Sequence, residues 1–289
     1  MKVGIIGTGN MGRILIEAFI DGKALSPSSL FITNRTLLKA MNIKECYPDI
    51  NVMVNGAEVA KQTRLVFICV KPKEVFTVLK EISPFLTKDH CVVSITSPIS
   101  VEQLESILPC SAARVIPSIT NRALAGVSLI TFGSRCEENE RKKITGLFGK
   151  ISTPVFISEE ITRAASDIVS CGPAFFTFLA RKFIHACAEE TAIDEETAAK
   201  LTSEMLIGLG ELLKKEYYTL ASLQEKVCVQ GGVTGVGINV LNEKVGDAFH
   251  HLFRATQQKF AEDRRETKKL LHYYHSFSNE KILQKDEKK

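Results

Sequence analysis

The 289-residue chain has no stretch that approaches the roughly eighteen uninterrupted apolar residues a membrane-spanning helix requires. That excludes a helical membrane span. Met1-Lys2 and a few apolar residues are broken at once by Gly7-Thr8-Gly9-Asn10, so no signal peptide is expected either. Paired cysteine motifs are missing as well. The eight cysteines stand singly, with no C-x-x-C pair, in a chain too large to depend on disulfide staples; a reducing cytoplasm is the expected location, and no metal site is expected. Neither sign of charge dominates, since 37 basic residues face 33 acidic ones and the basic residues are spread rather than blocked together. Neither nucleic acid nor a membrane is an expected partner.

What the chain does have is apolar substance. Hydrophobic residues make up 45% and charged ones 24%, an ordinary globular balance that excludes disorder as the main state. The length is at or slightly above the size at which one core stops growing, so two domains are expected. The first half alternates short apolar runs with helical stretches: Val3–Ile6, Leu30–Thr33, Leu65–Val70, Cys91–Ile95, Arg114–Ile116, Val127–Thr131 and Pro154–Ile157. Runs that are apolar at successive positions are buried on both faces, and with helices between them they predict a largely parallel, doubly wound α/β sheet of Rossmann-like architecture over residues 1–158.

Beyond Ser158 the strand signals stop and helical periodicity takes over, punctuated at Gly172-Pro173, Thr191–Asp194 and Gly231-Gly232. An all-helical domain is predicted over 159–275, with a charged tail over 276–289. The helical faces carry Phe175, Phe176, Phe178, Phe183, Leu201, Met205 and Phe249 among others. Faces this apolar either wrap each other or bury a partner, so this reads as a dimerisation domain and a homodimer, with higher assembly beyond it, is the expected state.

Four segments carry candidate chemistry. Gly7-Thr8-Gly9-Asn10-Met11-Gly12 follows the first run and opens a helix. Glycines there allow a tight turn and close backbone approach to a pyrophosphate, while the helix N-terminus offers free N–H groups to phosphate charge. After the second run, where an NAD site wants an acidic residue for the ribose 2′-hydroxyl, the chain has Asn34-Arg35-Thr36 with Lys39 nearby. A guanidinium and a hydroxyl suit a 2′-phosphate, which favours NADP over NAD, although Arg35 also reads as a solvated loop residue.

Val70-Lys71-Pro72 closes the third long run, where ligands of open α/β sheets bind; it reads equally as the first turn of a helix. Gly231-Gly232-Val233-Thr234 precedes another helix. The segment reads either as a backbone cradle for a carboxylate or, in isolation, as an interhelical turn with Thr234 as the N-cap.

Taken together and in this order, these elements resemble the pyrroline-5-carboxylate reductase family from Met1 to about Glu262, with Asn55, Arg114–Pro117 and Ser170-Cys171-Gly172-Pro173-Ala174 falling at further landmarks. The resemblance implies reduction of a cyclic imine carboxylate, 1-pyrroline-5-carboxylate, to proline with NADPH, NADH being the second candidate cofactor. It implies a cofactor site at Gly7, Gly9, Asn10, Met11, Gly12, Asn34, Arg35, Thr36, Asn55, Val70, Lys71 and Pro72. The small-molecule substrate is expected at Gly231, Gly232, Val233, Gly172 and Pro173, with Thr234 the catalytic candidate beside the imine nitrogen.

This chain departs from the family at the substrate end. Ile116-Pro117-Ser118-Ile119-Thr120 stands for Met-Pro-Asn-Thr-Pro, Thr96-Ser97-Pro98 for Ala-Ala-Gly, and Val229-Gln230-Gly231-Gly232-Val233-Thr234 for Ser-Pro-Gly-Gly-Thr-Thr. Two hydroxyls near the substrate carboxylate are thereby lost. A second expectation follows, that the chain is a weakened or inactive reductase-like protein with a regulatory role that still binds NADP.

Overall fold

The computed structural model describes the backbone of residues 1–286 and the side chains of residues 1–274. Its sheet has eight strands: β1 (Val3–Ile6), β2 (Leu30–Thr33), β3 (Asn51–Val52), β4 (Leu65–Ile68), β5 (Cys91–Ser94), β6 (Ser111–Ile116), β7 (Val127–Phe132) and β8 (Thr153–Phe156). The spatial order is β3-β2-β1-β4-β5-β6-β7-β8. All neighbours are parallel except β6 and β7, which run antiparallel.

The helices in chain order are α1 (Asn10–Asp21), α2 (Leu37–Cys46), α3 (Gly56–Gln62), α4 (Pro72–Ile82), α5 (Val101–Glu105), α6 (Glu138–Phe148), α7 (Thr162–Ser166), α8 (Gly172–Glu190), α9 (Glu195–Lys214), α10 (Leu220–Val227), α11 (Val233–Val245) and α12 (Ala248–Asp286).

Strands β1, β2, β4 and β5 are buried at every residue, as their unbroken apolar sequence requires. Side chains alternate between two cores, one on each face of the sheet. On one face Phe19, Phe67 and Phe148 meet with ring centroids 5.4–6.0 Å apart. On the other, Val66 and Ile68 pack with Val75, Phe76, Leu79 and Ile82. Burying each such side chain contributes about 1.5–3 kcal/mol, which is the main reason the sheet forms. Ile6 stands level with Thr33 on one side and Ile68 on the other, so the carboxyl ends of β1, β2 and β4 open side by side.

The described residues divide into two compact units, one formed by Met1–Cys171 together with the chain from Thr256 onward, the other by Gly172–Ala255. The first compact unit thus runs on past Ser158 to Cys171, and helix α12 does not belong wholly to the helical unit. Two interactions within the first unit explain this. Arg114 on β6 is fully buried and pairs with Glu159 at 2.7 Å. Its guanidinium also donates to Thr162 Oγ1 at 2.7 Å and to the Ser97 carbonyl at 3.2 Å, which ties the chain leaving β8 to the sheet. Along α12, Leu270, Leu271 and Tyr274 pack against the α4 side of the sheet, and Thr267 is buried there. Helical periodicity announces a helix but not the body on which its apolar stripe rests. The expected tail over 276–289 lies outside the residues whose side chains are described.

The predicted interruption at Gly172-Pro173 is absent. Thr162 to Glu190 is helical throughout, with a π-type turn over Asp167–Cys171 leading directly into α8. Proline carries no N–H and crowds the carbonyl four residues before it, and the wide turn is what accommodates it without a break.

Candidate dinucleotide site

The loop after β1 is shaped by contacts of its own backbone. Gly7 has φ +102°, a conformation that favours glycine, and a Cβ there would lie 2.5 Å from the Cys69 carbonyl oxygen. A Cβ on Gly12 would run into the Gly7 carbonyl, whereas one on Gly9 would meet nothing. The three glycines thus differ in purpose: Gly7 makes the turn, Gly12 lets α1 pack against it, and Gly9 leaves open space. Gly9 is also the N-cap of α1 and offers no capping side chain, so the first N–H groups of the helix face outward unsatisfied by a cap.

Asn34 fixes this loop from β2. Its Oδ1 accepts from the Thr8 N–H at 3.0 Å and its Nδ2 donates to the Thr36 carbonyl at 3.0 Å. Both polar atoms are used inside the protein, so Asn34 positions the loop in addition to lining the cleft. Asn55 is similarly engaged, its Oδ1 accepting from the Glu58 N–H at 2.9 Å as the N-cap of α3. Lys71 is the N-cap of α4 and Pro72 its first residue. The turn starts a helix, as one sequence reading had it, and Val70 and Lys71 also line a cleft.

Gly7, Gly9, Asn34, Arg35, Thr36, Asn55, Val70 and Lys71 line one cleft of about 530 Å³ at the carboxyl ends of β1, β2 and β4. Asn10 borders an adjoining hollow with Arg13 and Lys39. Met11, Gly12 and Pro72 do not line the main cleft; Gly12 acts through packing, and Pro72 lines a separate hollow against α12.

Sequence reading did not single out Cys69, Glu74 and Glu81 among the residues of the cleft wall, nor Thr8 in the adjoining hollow. Cys69 is buried, and burial pushes its thiol up to about 12, so it stays neutral. Thr8 has a buried hydroxyl without a hydrogen-bond partner in the protein. Glu74 and Glu81 face the cleft from α4, a helix whose first turn the sequence reading had reached at Pro72 but not followed further.

The remaining candidates belong to the unit Gly172–Ala255. Gly231 has φ +74°, and the N-cap of α11 is Gly232, not Thr234. Gly232, with extended φ and ψ, caps a helix that starts at Val233, which leaves Thr234 inside the first turn. Val233 is 89% exposed and Thr234 is exposed. Across α8, α9, α10 and α11 only Gly172, Ala198 and Thr202 are buried, while Phe176 and Phe183 are 67% and 63% exposed.

Residues 159–263 match the family model described as pyrroline-5-carboxylate reductase dimerisation, and residues 2–98 match that described as NADP oxidoreductase coenzyme F420-dependent. The chain is 53% identical to ComE operon protein 4 of Bacillus subtilis over 94% of its own length and all of that protein. It is 25% identical to pyrroline-5-carboxylate reductase 3 of the same organism, over 90% of this chain and 95% of that one. The chain belongs to the pyrroline-5-carboxylate reductase family. The fold is shared with the Plasmodium falciparum pyrroline carboxylate reductase solved with NADP bound, at a TM-score of 0.78 and 20% identity, covering 92% of this chain and 98% of that one.

The family is one of oxidoreductases whose cofactor is NADP. The residues present fit that group: an open glycine at an uncapped helix start, an orphan buried hydroxyl at Thr8, and Arg35 with Lys39 where an acidic residue would otherwise stand. Among the described residues no helix is long and apolar enough to cross a membrane.

Proposed function

We propose that this protein reduces a cyclic imine carboxylate, 1-pyrroline-5-carboxylate, to proline with NADPH, as a homodimer. The observation that carries the reading is the cleft itself, an intact glycine cradle whose second-strand end presents Arg35 and Lys39 in place of a carboxylate. Gly9 and the first N–H groups of α1 hold the pyrophosphate; Arg35, Thr36 and Lys39 hold the 2′-phosphate. When bound, the dinucleotide supplies a hydride.

The other residues bind and orient. The backbone N–H groups at the start of α11, freed by Gly232, hold the substrate carboxylate, and the Thr234 hydroxyl donates a hydrogen bond to the ring nitrogen. Dimerisation supplies the cover that the apolar faces of α8, α9, α10 and α11 lack in one chain, since an apolar area this contiguous is costly to leave in water. A second copy is the occupant because residues 159–263 match a dimerisation model.

A second reading has its own support. Val229 and Val233 replace family hydroxyls, and identity to ComE operon protein 4 is about twice that to the reductase of the same organism. On this reading the chain keeps NADP and serves a competence-related regulatory role with weakened turnover. Oxidation of NADPH and NADH by the purified protein with pyrroline-5-carboxylate, beside Thr234→Ala, separates the two. Turnover that falls at least tenfold in the variant supports the reductase; wild-type rates equal to the no-enzyme background overturn it. Light scattering at micromolar concentration tests the dimer, which a monomeric mass would refute.

A further inference from the structure

The carboxyl end of β2 carries no acid, yet the cleft holds two carboxylates, both from α4. Glu81 is already committed. Its Oε1 accepts from the N–H groups of Gly56 at 2.7 Å and Ala57 at 3.3 Å, which satisfies the start of α3. Glu74 is placed differently. It receives the Arg35 guanidinium, Nη1 donating to Oε1 at 2.6 Å, across 39 residues of sequence and across the mouth of the cleft.

With the Arg35 and Glu74 side chains 87% and 37% exposed, this ion pair contributes little to folding. Its effect is on the charge that a nucleotide meets. Arg35, Lys39 and Lys71 are the cations that line the cleft, and Glu74 is paired with the first of them. A dianionic 2′-phosphate must therefore share Arg35 with a carboxylate that repels it. A ribose with a free 2′-hydroxyl meets the reverse situation. Glu74 is then an acceptor held in place by a charge-assisted bond.

We propose that Glu74 is a specificity-determining residue of the cofactor site. From α4 it supplies the carboxylate that NADH sites ordinarily present from the second strand, and it competes with the 2′-phosphate for Arg35. The chain consequently binds both dinucleotides, with a preference for NADPH narrower than Arg35 and Lys39 alone would produce. This rests on the dinucleotide reading above and deepens it.

The test is the dissociation constant of NADPH and of NADH, measured by nucleotide fluorescence in the absence of substrate, for wild type, Glu74→Gln, Arg35→Ala and the double variant at low and high salt. Glu74→Gln is expected to tighten NADPH about three- to tenfold, because a like charge a few ångströms from phosphate is removed. It is expected to weaken NADH a few-fold. The change should be smaller in the Arg35→Ala background, where no competition for the guanidinium remains, and shrink at high salt, as an exposed charge effect must. Thermal melting of Glu74→Gln within a degree or two of wild type shows that folding is not the cause.

If wild type binds both nucleotides and Glu74→Gln moves their ratio less than about twofold, the proposal is overturned while the dinucleotide reading stands. Persistence of the full effect without Arg35 overturns it equally. If wild type binds neither nucleotide, the proposal and the reading beneath it fall together.

Discussion

Ser118 Oγ donates a hydrogen bond to the carbonyl oxygen of Val169 at 2.7 Å, in the π-type turn four residues ahead of Pro173. A proline has no N–H with which to satisfy the carbonyl four residues before it, so that acceptor would otherwise be an orphan in a part-buried place. Ser170 Oγ answers in the other direction, donating to the Pro117 carbonyl at 2.8 Å. The segment that departs from the family at Ser118 and the landmark segment at Ser170 are thus cross-tied by two hydroxyls.

Removing the first of these hydroxyls should destabilise the fold. Ser118→Ala is expected to lower the unfolding free energy by about 1–3 kcal/mol, the cost of leaving a buried carbonyl without a donor. Urea unfolding followed by circular dichroism measures it. A change under about 0.5 kcal/mol would mean that water replaces the hydroxyl and that the tie is dispensable.

The glycines of the first loop should separate folding from binding. Gly9→Ala points a methyl into open space, so thermal stability should stay near wild type while the NADPH dissociation constant rises at least about tenfold through lost phosphate approach. Gly12→Ala strikes the Gly7 carbonyl and should lower the melting temperature as well. The assignment of Gly9 to the pyrophosphate is wrong if its alanine variant binds NADPH as tightly as wild type.

Alkaline pH should weaken the fold through its buried thiols. Burial pushes Cys69 and Cys110 from an ordinary value of 9.0 up to about 12. A folded-state pKa above the unfolded one means that the stabilising contribution is complete below about pH 9 and is lost as the pH rises toward 12. The melting temperature should therefore fall over that window, less steeply in Cys69→Ala/Cys110→Ala than in wild type. At pH 8 iodoacetamide should modify exposed Cys46 and spare Cys69 and Cys110; rapid labelling of Cys69 would contradict its burial.

In the loop before α11, Val233 and Thr234 should act on different kinetic constants. Val233→Thr adds a hydroxyl at an exposed position and should lower KM for pyrroline-5-carboxylate more than it changes kcat, since a carboxylate contact serves substrate and transition state alike. Thr234→Ala should lower kcat under the proposed role of its hydroxyl, because the ring nitrogen it would bond changes charge during reduction. Equal effects of both variants on KM alone would remove Thr234 from the chemistry.

Much of the fold was legible because it is written in short range. The apolar runs at Val3–Ile6, Leu30–Thr33 and Cys91–Ile95 hold the strands they predicted, the last ending one residue early at Ser94, since a strand buried on both faces needs nothing beyond its own few residues to declare itself. Strand β3, only Asn51–Val52, has no such run, and it exists because β2 offers it a ladder. The reversed direction of β7 was equally invisible, since an apolar run carries no sign of its partner's polarity.

By itself, the sequence determined the order of strands and helices, the glycine loop and the absence of an acid after β2. Each of these depends on backbone sterics or side-chain chemistry within a handful of residues. Only the tertiary structure decided that Asn34 accepts from the Thr8 N–H of the glycine loop, that Glu74 pairs with Arg35 from 39 residues away, and that the stripe of α12 through Leu270 and Leu271 rests on the nucleotide-binding unit. Those outcomes depend on which surfaces meet when the chain closes, and a hydrogen bond or an apolar contact between distant residues leaves no period in the sequence by which it could be found beforehand.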